Sequence, residues 1–319
     1  MADDASIETL RTNVRTAVGV ELATLPTYLY PYWSIRPTYD GGSEAGQEAR
    51  TLIMSVILEE MLHMGLASNL LNAIGGTPHF TSGHDFPEFP DHILTSAQHG
   101  NHGVKVDLLP LGDPALDLMM RIELPEWTGE KHHEMTIGEF YHKHVIALLP
   151  RDNAAYNPVR QLRPWDNPGA GELFEIDSYD AAMRAVNEIL DQGEGHQGDR
   201  YDADNELAHY WKFKRVKTMW DTGVLTSADV YPIVPSPKQH LAKYSAQQIE
   251  ANTAFNREYS RMLDGLQATL AFDDEPDVYP VAAGRMRHLQ QLADELRATG
   301  PISGDEGLLP GPTFEYVSA

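Results

Sequence analysis

Two Glu-x-x-His units, Glu60/His63 and Glu206/His209, are the residues of this chain whose types and spacing point most directly to chemistry. Residues three apart on a helix project side by side, so one carboxylate and one imidazole can meet on a single ion or on adjacent ions. The first unit interrupts an apolar stripe, Ala49, Ile53, Val56, Glu60, His63, Ala67, Leu70, Ile74, whose alternating steps of four and three mark a helix buried along a seam. The second lies on Glu206, His209, Phe213, Val216, Trp220, with acid and imidazole where large apolar side chains would otherwise stand. Burying a carboxylate costs several kcal/mol unless something pairs with it, so these positions require a cation or a satisfied hydrogen-bond network.

Those units must be held by helices, and a four-helix carboxylate site needs two more that each supply one Glu. Glu21 continues the stripe Ile7, Leu10, Val14, Ala17, in a helix that Pro26 is expected to kink or end about one turn later. For the remaining acid there are two candidates. Glu139 shares a helical face with Met135, Ile146 and Leu149, and Glu194 follows the stripe Tyr179, Met183, Val186, Leu190 within a glycine-flanked turn.

Five segments together resemble the ferritin-like family that includes the iminophenyl-pyruvate dimer synthase domains of bisindole biosynthesis. They are Glu21-Leu-Ala-Thr-Leu-Pro-Thr-Tyr-Leu; Glu59-Glu-Met-Leu-His-Met with Asn69-Leu-Leu-Asn-Ala-Ile-Gly-Gly; Thr136-Ile-Gly-Glu-Phe-Tyr; Gln192-Gly-Glu-Gly; and Glu206-Leu-Ala-His-Tyr. The resemblance runs over residues 5 to 217. It implies an all-α-dominated, ferritin-like four-helix bundle with a non-haem metal centre, and its motif positions fall on Glu21, Glu60, His63, Glu139, Glu194, Glu206 and His209. It also implies two iron ions per chain, dioxygen or peroxide as co-substrate, and a small amino-acid-derived imine that is oxidised and coupled. Iron binding or storage without turnover is the alternative from a different class, and a bundle with only a buried polar network is a third.

Composition narrows the chemistry further. The chain has no cysteine among its 319 residues, which removes disulfides and thiolate ligands and leaves oxygen and imidazole donors. Such donors favour iron, or manganese, over structural zinc. A formal charge of −23 argues against nucleic acid, whose phosphates require clustered Lys and Arg. No run approaches the roughly 20 apolar residues of a membrane span, and the start Met-Ala-Asp-Asp lacks the regions of a signal peptide, so a cytoplasmic location is expected. A homo-oligomer is compatible with all of this.

The periodicity predicts helices over about 6 to 30, 44 to 74, 136 to 149, 179 to 192 and 203 to 220. Residues 78 to 130 form an irregular excursion between them, with a strand at Gly103 to Leu109, a helix opened by Asp113-Pro114, and a place over the site as a lid. The bundle thus occupies 1–231. A C-terminal helical extension, 232–319, follows a proline-rich link and carries amphipathic stretches Ile249 to Leu270 and Val281 to Leu296 that pack on the bundle or on a partner. Of the other histidines, His142 forms a third Glu-x-x-His with Glu139, outside the family-like segment. His79, His84, His92, His99 and His102 are read as surface-loop residues, and His132, His133 and His144 rank below His142. Tyr28, Tyr32, Trp33, Tyr141, Tyr210 and Trp211 are read as packing rather than as catalysts.

Overall fold

The structure is a computed structural model that describes residues 4–81, 87–94, 103–128, 134–157, 159–162, 165–167, 170–271, 278–305 and 307–318. Helices dominate it. α1 (Asp4–Ser34) and α2 (Glu44–Ala73) pack along their length and form the spine. α2 starts where the Ser43 hydroxyl accepts from the Gly46 N–H, and its last half, from Glu59 to Ala73, is buried on every side. By length and apolarity it would suffice to cross a membrane, but 72% of its most apolar window is buried inside the molecule.

α1 does not end one turn after Pro26. It continues through Pro26 and Pro31 to Ser34. A proline inside a helix costs about 3 kcal/mol, and the burial of Tyr28, Leu29, Tyr30 and Trp33 beyond it is large enough to offset that.

The excursion supplies a helix to the bundle. α3 (Asp113–Ile122) opens on Pro114, buries Leu116 and Met119, and packs against α1 and α6 (His209–Asp221). Before it, β1 (Asp91–Ile93) pairs antiparallel with β2 (Val104–Val106), a strand shorter than the expected Gly103 to Leu109. The expected helix over 136 to 149 is broken: α4 (Ile137–Phe140) passes into a π-helical turn at Tyr141–Val145 and a 3-10 turn at Ile146–Leu148. A second antiparallel pair, β3 (Trp165–Asn167) with β4 (Gly171–Leu173), precedes α5 (Tyr179–Glu194).

α6 starts at His209 rather than near 203. Residues before it form a turn in which Glu206 N–H donates to the Asp202 carboxylate at 2.8 Å, and Tyr201 bridges Leu207. Ala208 is the N-cap and has no side chain to signal the start.

Two asparagines of α2 explain part of the Asn69-to-Gly76 segment. The Asn69 amide donates to the carbonyls of Leu162 and Phe174 and accepts from the Leu162 N–H at 2.7 Å. Asn72 donates to the carbonyls of Arg160 and Leu270. They hold loops and the end of α7 (Ala246–Ala271) against the spine, where unpaired backbone groups would each cost about 1–3 kcal/mol.

α7 and α8 (Val278–Ala298) form an antiparallel pair. The preceding proline-rich segment is fixed, since Val234 N–H donates to Leu309 O, and the Tyr30 hydroxyl to Val234 O at 2.6 Å. Trp33 of α1 stacks on Phe314 at 5.6 Å between ring centres, with Phe255 and Tyr259 edge-on. Such aromatic pairs contribute about 0.5–1.5 kcal/mol each beyond burial.

Candidate metal centre

Glu21, Glu60, His63 and His209 come together in the middle of the bundle, each no more than 2% exposed. One donor atom each from Glu60, His63 and His209 lies within 4.8 Å of the others, a combination unique among the described residues. Glu60 is the hub. Its Oε1 is 3.5 Å from His63 Nδ1 and 3.0 Å from His209 Nδ1, and the two rings stack 5.3 Å apart.

A further carboxylate flanks each ring. Glu21 Oε2 lies 3.8 Å from His63 Nδ1, and Glu123 Oε2 lies 3.3 Å from His209 Nδ1. Both histidines therefore turn Nδ1 inward, and both commit Nε2 outward. His63 Nε2 meets Gln192 Oε1 of α5 at 2.8 Å, and His209 Nε2 meets Glu59 Oε2 at 2.8 Å. Such outer partners fix the tautomer and ring plane of a metal-binding histidine. Each carboxylate also has a hydroxyl donor: Tyr141 to Glu21 at 2.9 Å, Tyr28 to Glu123, and Thr24 to Glu60 at 2.5 Å.

The electrostatics fit a cation. Glu21, Glu59, Glu60 and Glu123 are all buried, and the one buried ammonium among the described residues, Lys212, is committed to Glu59 at 2.7 and 2.8 Å. Burial, reinforced by Glu60, pushes the Glu21 carboxyl well above the usual range, and the same two causes raise Glu123. Burial also acts on Glu60 and Glu59. There it is outweighed by hydrogen bonds from His209 with His63, and from His209 with Lys212, which hold both carboxyls below the ordinary range. His209 is pushed up despite burial, because Glu123, Glu59 and Glu60 surround it. A bound cation would relieve the repulsion that raises Glu21 and Glu123.

Three sequence candidates stand elsewhere. Glu206 precedes α6 and is exposed, with Lys212 Nζ at 3.9 Å. Glu139 is partly exposed and paired with Lys143. Glu194 ends α5, where Oε2 accepts from the Glu126 N–H at 3.1 Å and its carboxylate occupies the space a Cβ at Gly138 would fill. His142 is on the surface with Glu126, and His196 with Asp191. His79 and His92 are exposed, while His84, His99, His102, His132 and His133 lie outside the described residues.

Glu123, Glu59, Gln192 and Lys212 escape the sequence reading. The signal for Glu123 was present: Leu116, Met119 and Glu123 continue one face of α3 at steps of three and four. Glu59 gave none, because adjacent residues on an amphipathic helix point apart, whereas α2 is buried on both faces. Of the aromatics read as packing, Tyr28 and Tyr141 reach site carboxylates; Trp33 packs with Phe314, and Tyr32 with Arg50.

Residues 14–218 match the family model described as Ferritin-like. The chain belongs to the ferritin-like family. Dichlorochromopyrrolate synthase of Lentzea aerocolonigenes is 26% identical over 373 residues, an alignment covering 95% of this chain and 35% of that protein. The chain thus spans about a third of the length of the curated relative it matches. A ferritin like protein from Caulobacter vibrioides, known from its crystal structure, shares the fold with a TM-score of 0.64 at 22% identity, covering 97% of this chain and 98% of that one.

A cleft of about 770 Å³ runs along α5, lined by Trp127, Met183, Glu188, Leu190 and Glu194 among others. Burial pushes the Glu194 carboxyl up to about 7, against hydrogen bonds from the Glu126 and Gly138 backbone. A carboxyl raised above its unfolded value, about 4.3, favours folding while protonated. That stability is whole below the unfolded value and is lost as pH rises towards 7. Glu194→Gln is therefore expected to match the parent in urea unfolding at pH 4 and to exceed it at pH 8 by up to about 3 kcal/mol. Parallel pH curves for the two proteins would refute this.

Proposed function

We propose that this ferritin-like chain is a non-haem oxidoreductase holding two redox-metal ions, iron first and manganese as the alternative. It uses dioxygen or peroxide to oxidise or couple a small amino-acid-derived substrate, as the resemblance to imine-dimerising synthases implies. The observation that supports it is the arrangement about Glu60, with Glu21 and His63 on one side and Glu123 and His209 on the other. These five residues are the proposed ligands, and Glu139, Glu194 and Glu206 are not among them. Two redox ions so bound would give one electron each, enough to take dioxygen to the peroxide level or peroxide to water, and oxidation of the substrate would return them.

The chain's own part is positional. Gln192 and Glu59 hold the imidazoles with Nδ1 inward, and the Tyr141 and Tyr28 hydroxyls fix the outer carboxylates. The buried Phe213 ring, 5.0 Å from the Tyr28 ring that carries the Glu123 donor, helps to keep water from that carboxylate. The α5 cleft is the proposed substrate site, since its wall residue Glu188 accepts from Gln192 at 3.1 Å and Gln192 touches His63.

Protein purified without chelators is expected to carry about two iron or manganese ions per chain by plasma mass spectrometry. Ferrous protein loaded without oxygen should oxidise on addition of dioxygen or peroxide. No bound metal, even after loading, overturns the proposal and leaves a buried polar network; uptake of iron far beyond two per chain turns it into storage.

A further inference from the structure

The two imidazoles are held from behind by different chemistry. Behind His63 stands a neutral amide: Gln192 Oε1 meets Nε2 at 2.8 Å, while its amide group is taken by Ala170 O at 3.0 Å and Glu188 at 3.1 Å. Behind His209 stands an ion pair. Glu59 Oε2 meets Nε2 at 2.8 Å, and both Glu59 oxygens accept from Lys212 Nζ at 2.7 and 2.8 Å. In front the distances follow suit, 3.0 and 3.3 Å from His209 Nδ1 to Glu60 and Glu123 against 3.5 and 3.8 Å from His63 Nδ1 to Glu60 and Glu21.

We infer that Lys212 is a positioning residue: by clamping Glu59 behind His209 it makes the His209–Glu123–Glu60 half of the centre take up the first metal ion and the His63–Glu21 half the second. The inference rests on the two-ion reading. A charged acceptor behind a ring makes a stronger hydrogen bond than an amide, orients the ring more firmly, and makes the opposite nitrogen a better donor to a metal. Both members of the pair are buried, Lys212 at 4% and Glu59 at 2% exposure, so solvent screens the effect little. Lys212 reaches Glu59 from one turn beyond His209, so α6 presents imidazole and clamp from the same face.

The test is a titration of metal-free full-length protein with Mn(II), free ion being followed by electron paramagnetic resonance. Two binding classes separated by roughly 10- to 100-fold are expected, the cost typical of losing an outer hydrogen-bond partner. The tight class should vanish in His209→Ala and persist in His63→Ala. In Glu59→Gln/Lys212→Met, a glutamine stands behind His209 as Gln192 stands behind His63, and the tight class should fall to within a few-fold of the weak one. The weak class should stay where it was, whereas general loosening of the bundle would weaken both together. If that double variant fails to fold, as judged by circular dichroism, the two histidine variants still decide. Two equal classes, or a tight class that survives His209→Ala, overturn the inference alone. No Mn(II) binding overturns it together with the two-ion reading.

Discussion

Glu60→Gln is expected to strip the protein of metal, to below about a tenth of an ion per chain, a loss beyond the 10- to 100-fold in affinity that removing an outer partner costs. The reason is the hub position. One carboxylate oxygen faces both imidazoles, and the other is held by Thr24, so the substitution weakens both halves at once. Glu21→Gln and Glu123→Gln each reach one ring and should leave about one ion per chain. Glu139→Gln and Glu206→Gln should leave the content unchanged, because Glu139 pairs with the exposed Lys143 and the Glu206 side chain is exposed, 3.9 Å from Lys212 Nζ and away from the imidazoles. Plasma mass spectrometry on dialysed protein, with circular dichroism to check the fold, reads all of these. Parental metal content in Glu60→Gln would sink the assignment.

Lys212→Met should be the most damaging single change to the metal-free protein, at about 3–5 kcal/mol in urea unfolding, because it strands the Glu59 charge in the interior. Glu59→Gln strands the ammonium instead and should cost a similar amount. The double substitution removes both charges and should recover most of the loss, so the coupling is large and negative. The acid dependence follows from the same pair. Burial pushes the Glu59 carboxyl up, but the hydrogen bonds of His209 and Lys212 outweigh it and leave the folded group below its unfolded value. That contribution is whole above the unfolded value, about 4.3, and is lost as pH falls below it. The double variant should therefore lose less stability than the parent between pH 5 and pH 3, about the window in which an unfolded carboxylate titrates. Additive single effects would refute the clamp.

Much of this was legible because apolar periodicity reports burial. The stripes of α1 and α2 placed Glu21, Glu60 and His63 inward, and His209 followed from Phe213 and Val216 on its own helix. The same logic misplaced Glu206, since the helix starts after a turn held by Asp202 and capped by alanine, which leaves no sequence mark. Glu139 and Glu194 looked like alternatives for the last carboxylate because one lies on an apolar face and the other follows an apolar stripe. In the structure α4 and α5 meet each other there, with Gly138 making room for Glu194. Glu123 was overlooked for a topological reason. Its helix, expected from Asp113-Pro114, lies in a stretch of Pro, Gly and His that reads as an excursion outside the bundle, and only packing against α1 and α6 shows that the helix closes it. The continuation of α1 past two prolines was likewise beyond local reading, since tertiary burial decided it.

The all-round burial of α2 has a consequence for how the chain is made. Its apolar surface is shared among α1, α5 and α6, and the last of these ends at Asp221, well after α2 itself ends at Ala73. At ribosomal rates of about 5–20 residues per second, α2 waits roughly 7–30 s after its own synthesis before all of its cover exists. For most of that interval, until α5 is made, a helix apolar enough to enter a bilayer lacks the cover of α5 and α6, and the Glu59, Glu60 and His63 side chains it carries lack their partners on those helices. The polar residues that later define the centre thus also interrupt, while the chain is nascent, what would otherwise be its longest sticky surface.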